Sequence, residues 1–257
     1  MKYLLAFVIF LAPTALFGVA LAQNAADACY DPADMAEARA ALKKGTSGGS
    51  NILLMVDRLE YQTGGAESVV WVAQGWFGGD RNKLWIKSEG DYDLQGNTFE
   101  EAQVQALYSR AISTFFDLQM GLRQDVGSGP NRTYGVIGIQ GLAPYWFELD
   151  TAAFVSDKGD VTVRVEAEYE ILLTQRLVLQ PRVEFNFAFQ NVEELGIGSG
   201  LSTIEAALRL RFEIKREFAP YIGVSRSRAF GNTADFARIE GQKVSGTSLV
   251  LGIRAWF

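Results

Sequence analysis

The side chains best suited to chemistry in this sequence are carboxylates at alternate positions: Glu148 and Asp150, then Glu166, Glu168 and Glu170, with Glu184 further on. Arginines are interspersed at Arg58, Arg164, Arg182, Arg209, Arg211 and Arg254. Spacing of i, i+2 places such groups on one face of an extended strand. Two chemistries suit a confined row of this kind. Carboxylate oxygens attract cations and bind divalent metals with little selectivity; alternatively, acids and arginines pair and fill an interior, because an isolated ion out of water is costly. Both readings stay open at this stage.

Composition removes other classes. The 257 residues include no histidine and one cysteine. A histidine-based nucleophile system, a histidine-ligated metal and a histidine pH switch are therefore impossible within this chain, and so are an internal disulfide and a multi-cysteine metal site. Membrane-embedded hydrolases use histidine as base, so no catalytic residues are expected. With 24 Lys+Arg against 30 Asp+Glu and no basic run, a nucleic-acid partner is not expected either.

The elements that carry these groups show a period of two. Over 161–171, Val161, Val163, Val165, Ala167, Tyr169 and Ile171 alternate with Thr162, Arg164, Glu166, Glu168 and Glu170. The pattern recurs at 177–190, where Leu177, Leu179, Val183, Phe185, Phe187 and Phe189 oppose Gln180, Arg182, Glu184 and Asn186, and again at 147–155, 204–213 and 249–257. Ahead of these segments, residues 1–22 read as a cleaved signal peptide: Lys2, an apolar stretch to Leu21, and the small-residue site Ala20-Leu21-Ala22. Residues 23–50 read as a periplasmic segment with a helix over 33–43, capped by Asp31 or Asp34 and stopped by Gly45, and a Gly/Ser linker. Cys29 reads as a free thiol. The domain proper spans 51–257.

Alternation alone fits a soluble sandwich with its apolar face inward, or a membrane barrel with its apolar face toward lipid and its charges in the lumen. A secretion signal, strands of about ten residues, aromatics near strand ends (Trp71, Trp76, Phe77, Tyr145, Trp146, Phe218, Tyr221, Trp256) and a final Trp256-Phe257 favour the barrel. The reading is all-β: an antiparallel up-and-down transmembrane β-barrel of about twelve strands in the outer membrane, monomeric and surrounded by lipid, with a short helix before it. Connections alternate between short (78–82, 113–114, 141–144, 173–175, 215–219) and mostly long (93–101, 126–132, 191–202, 230–243), which puts both ends of the barrel chain on the periplasmic side. By parity the lumen receives Arg58, Glu60, Lys87, Glu89, Asp91, Asp117, Arg123, Glu148, Asp150, Arg164, Glu166, Glu168, Glu170, Arg182, Glu184, Arg209, Arg211, Glu213 and Arg254.

Several multi-residue stretches, among them Gln105-Ala-Leu-Tyr-Ser-Arg110, Gly141-Leu-Ala-Pro-Tyr-Trp-Phe-Glu148, Phe154-Val-Ser-Asp-Lys-Gly-Asp160, Glu194-Leu-Gly-Ile-Gly-Ser-Gly200 and Arg216-Glu-Phe-Ala-Pro-Tyr221, closely resemble the copper resistance protein B family over about residues 51–257. The resemblance implies an outer-membrane protein of a copper-resistance system that handles copper between exterior and periplasm, with copper ions and periplasmic copper-handling proteins as partners. It also implies a Met- and His-rich N-terminal segment, and here the chain departs from the pattern. Residues 23–50 offer Met35 and Cys29 as soft ligands and no histidine. Met120 shares the expected lipid face with Leu118 and Leu122, and Met55 lies in an apolar run, so both read as packing residues. No copper ligand is assigned; the lumen carboxylates are the candidate cation path, and a barrel without metal specificity, acting as a small pore or through partner-binding outer loops, is the alternative.

Overall fold

The computed structural model describes residues 29–46, 50–65, 67–127 and 129–257. Residues 1–22, expected to be a signal peptide, and 47–49 of the expected Gly/Ser linker lie outside the described residues. Two units are present, one before residue 50 and one after it. In the first, α1 (Pro32–Thr46) begins at Asp31, whose Oδ1 accepts the Ala33 N–H at 2.8 Å. The helix continues past Gly45, which was expected to stop it; glycine is tolerated in a last turn, where no following residue depends on it.

The second unit is a closed barrel of twelve antiparallel strands: β1 (Asn51–Thr63), β2 (Ser68–Gly78), β3 (Asn82–Asp93), β4 (Thr98–Ala111), β5 (Phe116–Asp125), β6 (Arg132–Ala143), β7 (Phe147–Ser156), β8 (Val161–Glu168, resuming at Ile171–Leu172), β9 (Leu177–Ala188), β10 (Gly200–Phe212), β11 (Phe218–Ala229) and β12 (Ser245–Trp256). The helix α2 (Gly231–Ile239) lies in the last connection. Closure comes from β1, which pairs with β12 as well as β2. The interruption in β8 has a local cause. Its register against β9 is the same on both sides of the gap, which lies opposite Pro181; the Tyr169 N–H still reaches the Pro181 carbonyl at 3.1 Å, but proline has no N–H to return.

One end of the barrel carries tight turns (79–81, 112–115, 144–146, 173–176, 213–217) and is called the turn end; the opposite, loop end carries 126–131, 189–199 and the α2 connection. The 93–101 segment differs from expectation. β3 and β4 run on to Asp93 and Thr98, leaving a four-residue hairpin in which Asn97 takes φ 53° and the rings of Tyr92 and Phe99 stack edge-on at 4.9 Å.

The outer surface exposes a continuous set of large apolar groups, including Ile52, Leu54, Leu84, Ile86, Met120, Leu122, Ile137, Ile139, Ile222, Leu249 and Leu251. Patches of this extent are not left against water by soluble monomers, and here they form the lipid-facing belt of an outer-membrane barrel. Val165 and Phe185 pair directly across β8 and β9 on that outer face, with Glu166 and Glu184 paired on the inner one. Tyr145 and Trp146, both exposed, project from the 144–146 turn. Two of the expected belt aromatics are packed into the interior instead, and Trp256 shares the inward parity of Arg254. Trp76 packs against Trp85 with ring centroids 6.4 Å apart, and Tyr221 is buried with its hydroxyl on Glu60. Both lie on the inward parity of their strands; nearness to a strand end places an aromatic at the right height and leaves the face undetermined.

The interior has two unlike walls. On β3, β4, β6 and β7 it carries a buried apolar cluster of Trp85, Leu107, Tyr134, Val136 and Phe154, packed with Trp76 and Ala152, among polar neighbours such as Lys87, Gln105 and Asp150. On β8 to β12 and β1 it is charged.

Candidate functional site: a charged wall in the lumen

Strand register sets the central feature. Asp150 on β7 lies directly opposite Glu166 on β8, Glu166 opposite Glu184 on β9, and Glu184 opposite Glu205 on β10. Four neighbouring strands thus each present one carboxylate in an unbroken row. Like charges directly opposite one another destabilise a sheet unless countered, and cations are inserted from both sides. The Lys87 ammonium lies 2.7 Å from Asp150, and Arg164 Nη1 lies 2.7 Å from Glu89 with its Nε 3.6 Å from Glu184. Arg182 takes Glu166 in a two-pronged contact, 2.7 Å at each oxygen, and also binds Glu184 and Glu205.

These pairs cross the lumen. Glu89 is on β3 and Arg164 on β8, five positions apart around a ring of twelve strands, so their side chains meet only by spanning the interior. Lys87 and Asp150 join β3 to β7, Arg254 and Glu170 join β12 to β8 at 2.9 Å, and Arg209 and Glu60 join β10 to β1 at 2.6 Å. Beside the first two bridges, a cavity of about 30 Å³ lies between the two walls, lined by Gln105, Gln119, Leu107, Val136, Phe154 and Glu166 together with the bridging residues. That volume holds about two water molecules and no hydrated ion.

The Arg209–Glu60 pair is the most enclosed. Glu60 has no exposed surface, and its Oε1 accepts from both Arg209 Nε and the Tyr221 hydroxyl, the latter at 3.0 Å. Gly252 makes this geometry possible. It lies in register between Tyr221 and Glu60, and a Cβ there would come within 2.6 Å of the tyrosine ring that crosses it.

Each residue assigned to the candidate path or to its counter-ions faces the lumen, but their surroundings differ. Asp150, Glu166, Glu170 and Glu184 are all ion-paired, and so are Arg58, Arg164, Arg182, Arg209, Arg211 and Arg254. Glu148 and Glu168 stand opposite each other near the turn end. Among the described residues no salt bridge reaches either of them, and Glu168 is held by the Gln180 amide. The ladder read from the sequence is therefore divided into a neutralised row and, nearer the turn end, a pair with no direct salt bridge among the described residues.

Four ion-paired members of the lumen network were missing from the sequence-based set: Lys83, which pairs with Asp117, Asp125, which pairs with Arg123, and Glu205 and Asp57. Glu205 was visible in the alternation at 204–213 but was not carried into that set. Asp57 was hidden: β1 slips by one residue between Val56 and Arg58 against β2, with a matching irregularity against β12, so Asp57 and Arg58 both face inward. Asp57 there meets Arg254 at 3.5 Å and the Gln74 amide, while Met55, also turned inward, places its sulfur 3.8 Å from Arg254 Nη2. Met120 is on the lipid face, as expected.

At the loop end, Arg132, 2% exposed, binds Asp160 and, at 2.8 Å, Glu194; Lys158 reaches Glu194 at 2.9 Å. Hydrogen bonds from Lys158 and Arg132 hold the Glu194 carboxyl below the usual carboxylate range. Burial pushes Asp160 upward, but bonds from Gln190 and Arg132 outweigh it and leave the carboxyl lowered. The 189–199 connection is in turn tied to α2, where the Gly198 N–H donates to Thr233 Oγ1 at 2.8 Å.

A protein-family model described as copper resistance protein B precursor matches residues 50–257. Copper resistance protein B of Escherichia coli is 44% identical over 208 residues, covering 80% of this chain and 70% of that protein. The copper resistance protein B homolog of Pseudomonas syringae pv. tomato is 43% identical with the same coverage. Among solved structures, the KdgM porin superposes with a TM-score of 0.51 at 14% identity, over 80% of this chain and 99% of that one. The NanC porin gives 0.52 at 13% identity, over 79% and 98%. At such identities these two establish a shared fold.

Proposed function

This chain belongs to the copper resistance protein B family, and from that premise we propose that its outer-membrane barrel handles copper ions between the exterior and the periplasm, using the charged lumen wall as their path. The observation that carries this reading is the register-aligned row Asp150, Glu166, Glu184 and Glu205. Oxygen donors interact with Cu(II) weakly and with little selectivity, so the protein passes or transiently holds the ion and does not store it. Glu148 and Glu168, without counter-ions of their own, are the site of transfer at the turn end, which we place in the periplasm beside copper-handling partners. The residues preceding the barrel form a cleaved signal over 1–22 and a periplasmic segment over 23–50. The barrel acts as a monomer in lipid and catalyses no reaction.

Growth of a deletion strain across a copper series, beside series of other divalent metals, tests this. Complementation with the wild-type gene restores copper tolerance, and complementation with Glu166→Gln/Glu184→Gln does not. Equal rescue by both genes would contradict the path. The linked loops at 189–199 and 230–244 support a second reading, a barrel that binds a partner from outside; a deletion of α2 that abolishes tolerance while leaving ion permeability intact would favour it.

A further inference from the structure

The acidic row has an occupant. Arg182 lies with its side chain 1% exposed against three consecutive members of the row: Nε and Nη2 at 2.7 Å from the two Glu166 oxygens, Nη2 also on Glu184, and Nη1 3.1 Å from Glu205 Oε1. Its strand register would put it opposite Glu168. The guanidinium instead turns toward the row, leaving Glu168 to the Gln180 amide. Three carboxylates from three strands therefore converge on one fixed cation, where a mobile cation crossing the row would have to sit. A planar guanidinium suits this role, because its fork satisfies several carboxylate oxygens at once in fixed directions, which an ammonium cannot do.

We propose that Arg182 is a tethered counter-ion that sets the cation permeability of the lumen: it occupies the acidic row, and a permeating cation must displace it. The inference rests on the lumen being the ion path. It assigns to Arg182 a positioning role, exerted through Glu166, Glu184 and Glu205. Without Arg182, the row keeps its carboxylates and loses the charge that neutralises them, so mobile cations are recruited in its place.

Single-channel recording in planar bilayers under a potassium chloride gradient tests the proposal without involving copper. Wild type should conduct weakly. Arg182→Gln should raise conductance several-fold and shift the reversal potential toward cations, Arg182→Lys, which keeps the charge but not the fork, should fall between wild type and Arg182→Gln, and Arg182→Gln/Glu184→Gln should return part of the way. Glu205→Gln keeps Arg182 and removes one acid, so its reversal potential should move toward anions; this arm remains decisive if Arg182→Gln does not assemble. Heat-modifiable migration on gels identifies folded variants. Folded Arg182→Gln with wild-type conductance and reversal potential overturns the proposal, as does higher conductance with unchanged selectivity, which marks loosened packing only. The predicted shifts, combined with unaltered copper tolerance in the deletion strain, would uphold Arg182 and reject the copper reading.

Discussion

The two walls of the lumen solve the same problem by different means. Each must fill the interior of a narrow barrel whose outer face is committed to lipid. The β3 to β7 side fills it chiefly with Trp85, Leu107, Tyr134, Val136 and Phe154, which pack on one another, with Lys87 and Arg123 laid over the rings of Trp85, Tyr134 and Phe154. The β8 to β1 side fills it with ions that reach across to other strands, as Arg209 does to Glu60 and Arg254 to Glu170. An apolar wall is stable and inert. A charged wall depends on each partner being present, and that dependence lets it exchange fixed cations for mobile ones. Lys87 and Glu89 belong to the apolar wall's own strand β3 but serve the charged side, bridging to Asp150 and Arg164.

The contrast is most exposed to test at Arg209. Arg209→Met leaves Glu60 buried without its cation and should cost about 3–5 kcal/mol, measured by urea unfolding in detergent micelles. Adding Glu60→Gln should recover much of that loss; a double variant as unstable as the sum of the singles would show that the pair is not a unit. Leu107→Ala, in the apolar wall, should cost about 2–5 kcal/mol through the cavity it leaves, with no dependence on salt. A strong salt dependence there would erase the distinction between the walls.

The next two tests concern the barrel's outer face and its rim. Val165→Lys places a charge on the lipid side and should cost about 2–4 kcal/mol at mid-bilayer, seen as loss of heat-modifiable protein, while Glu166→Gln one residue away still assembles. Equal insertion of the two would reverse the face assignment. The smallest effect is expected at the loop end. Glu194 and Asp160 have lowered folded-state pKa values, so their contribution is present above the ordinary carboxylate range and disappears as pH falls through the lowered values, below about 4. Proteolysis of the 189–199 connection should therefore be slow at pH 6 and faster at pH 3, with Lys158→Ala accelerated modestly at pH 6.

Much of this architecture was legible in the residues. The strict alternation over 161–171 gave the β8 faces correctly, because one side is lipid and the other polar. The same rule was blind on β3, β4 and β6, where Trp85, Leu107, Tyr134 and Val136 face inward beside apolar groups facing out: two apolar faces leave no alternation to read. Trp76 and Tyr221 were misplaced for a related reason, since an aromatic at a strand end suits either a lipid interface or a lumen. Asp57 was hidden because a bulge shifts parity without leaving a mark in hydropathy. The acidic ladder was legible as a set of residues. Its division into a neutralised row and the Glu148–Glu168 pair was not, because that depends on which strands face each other across the interior.

The central claim is that permeating ions follow the charged wall and are kept from the apolar one. It is tested most directly by cysteine accessibility in a Cys29→Ser background, comparing Asn186→Cys and Thr203→Cys beside the acidic row with Val136→Cys in the apolar wall, each exposed to a small cationic thiol reagent from the loop end. Rapid modification at 186 and 203 with none at 136 is the predicted result. Equal reaction at all three positions, or reaction at 136 alone, would contradict the account.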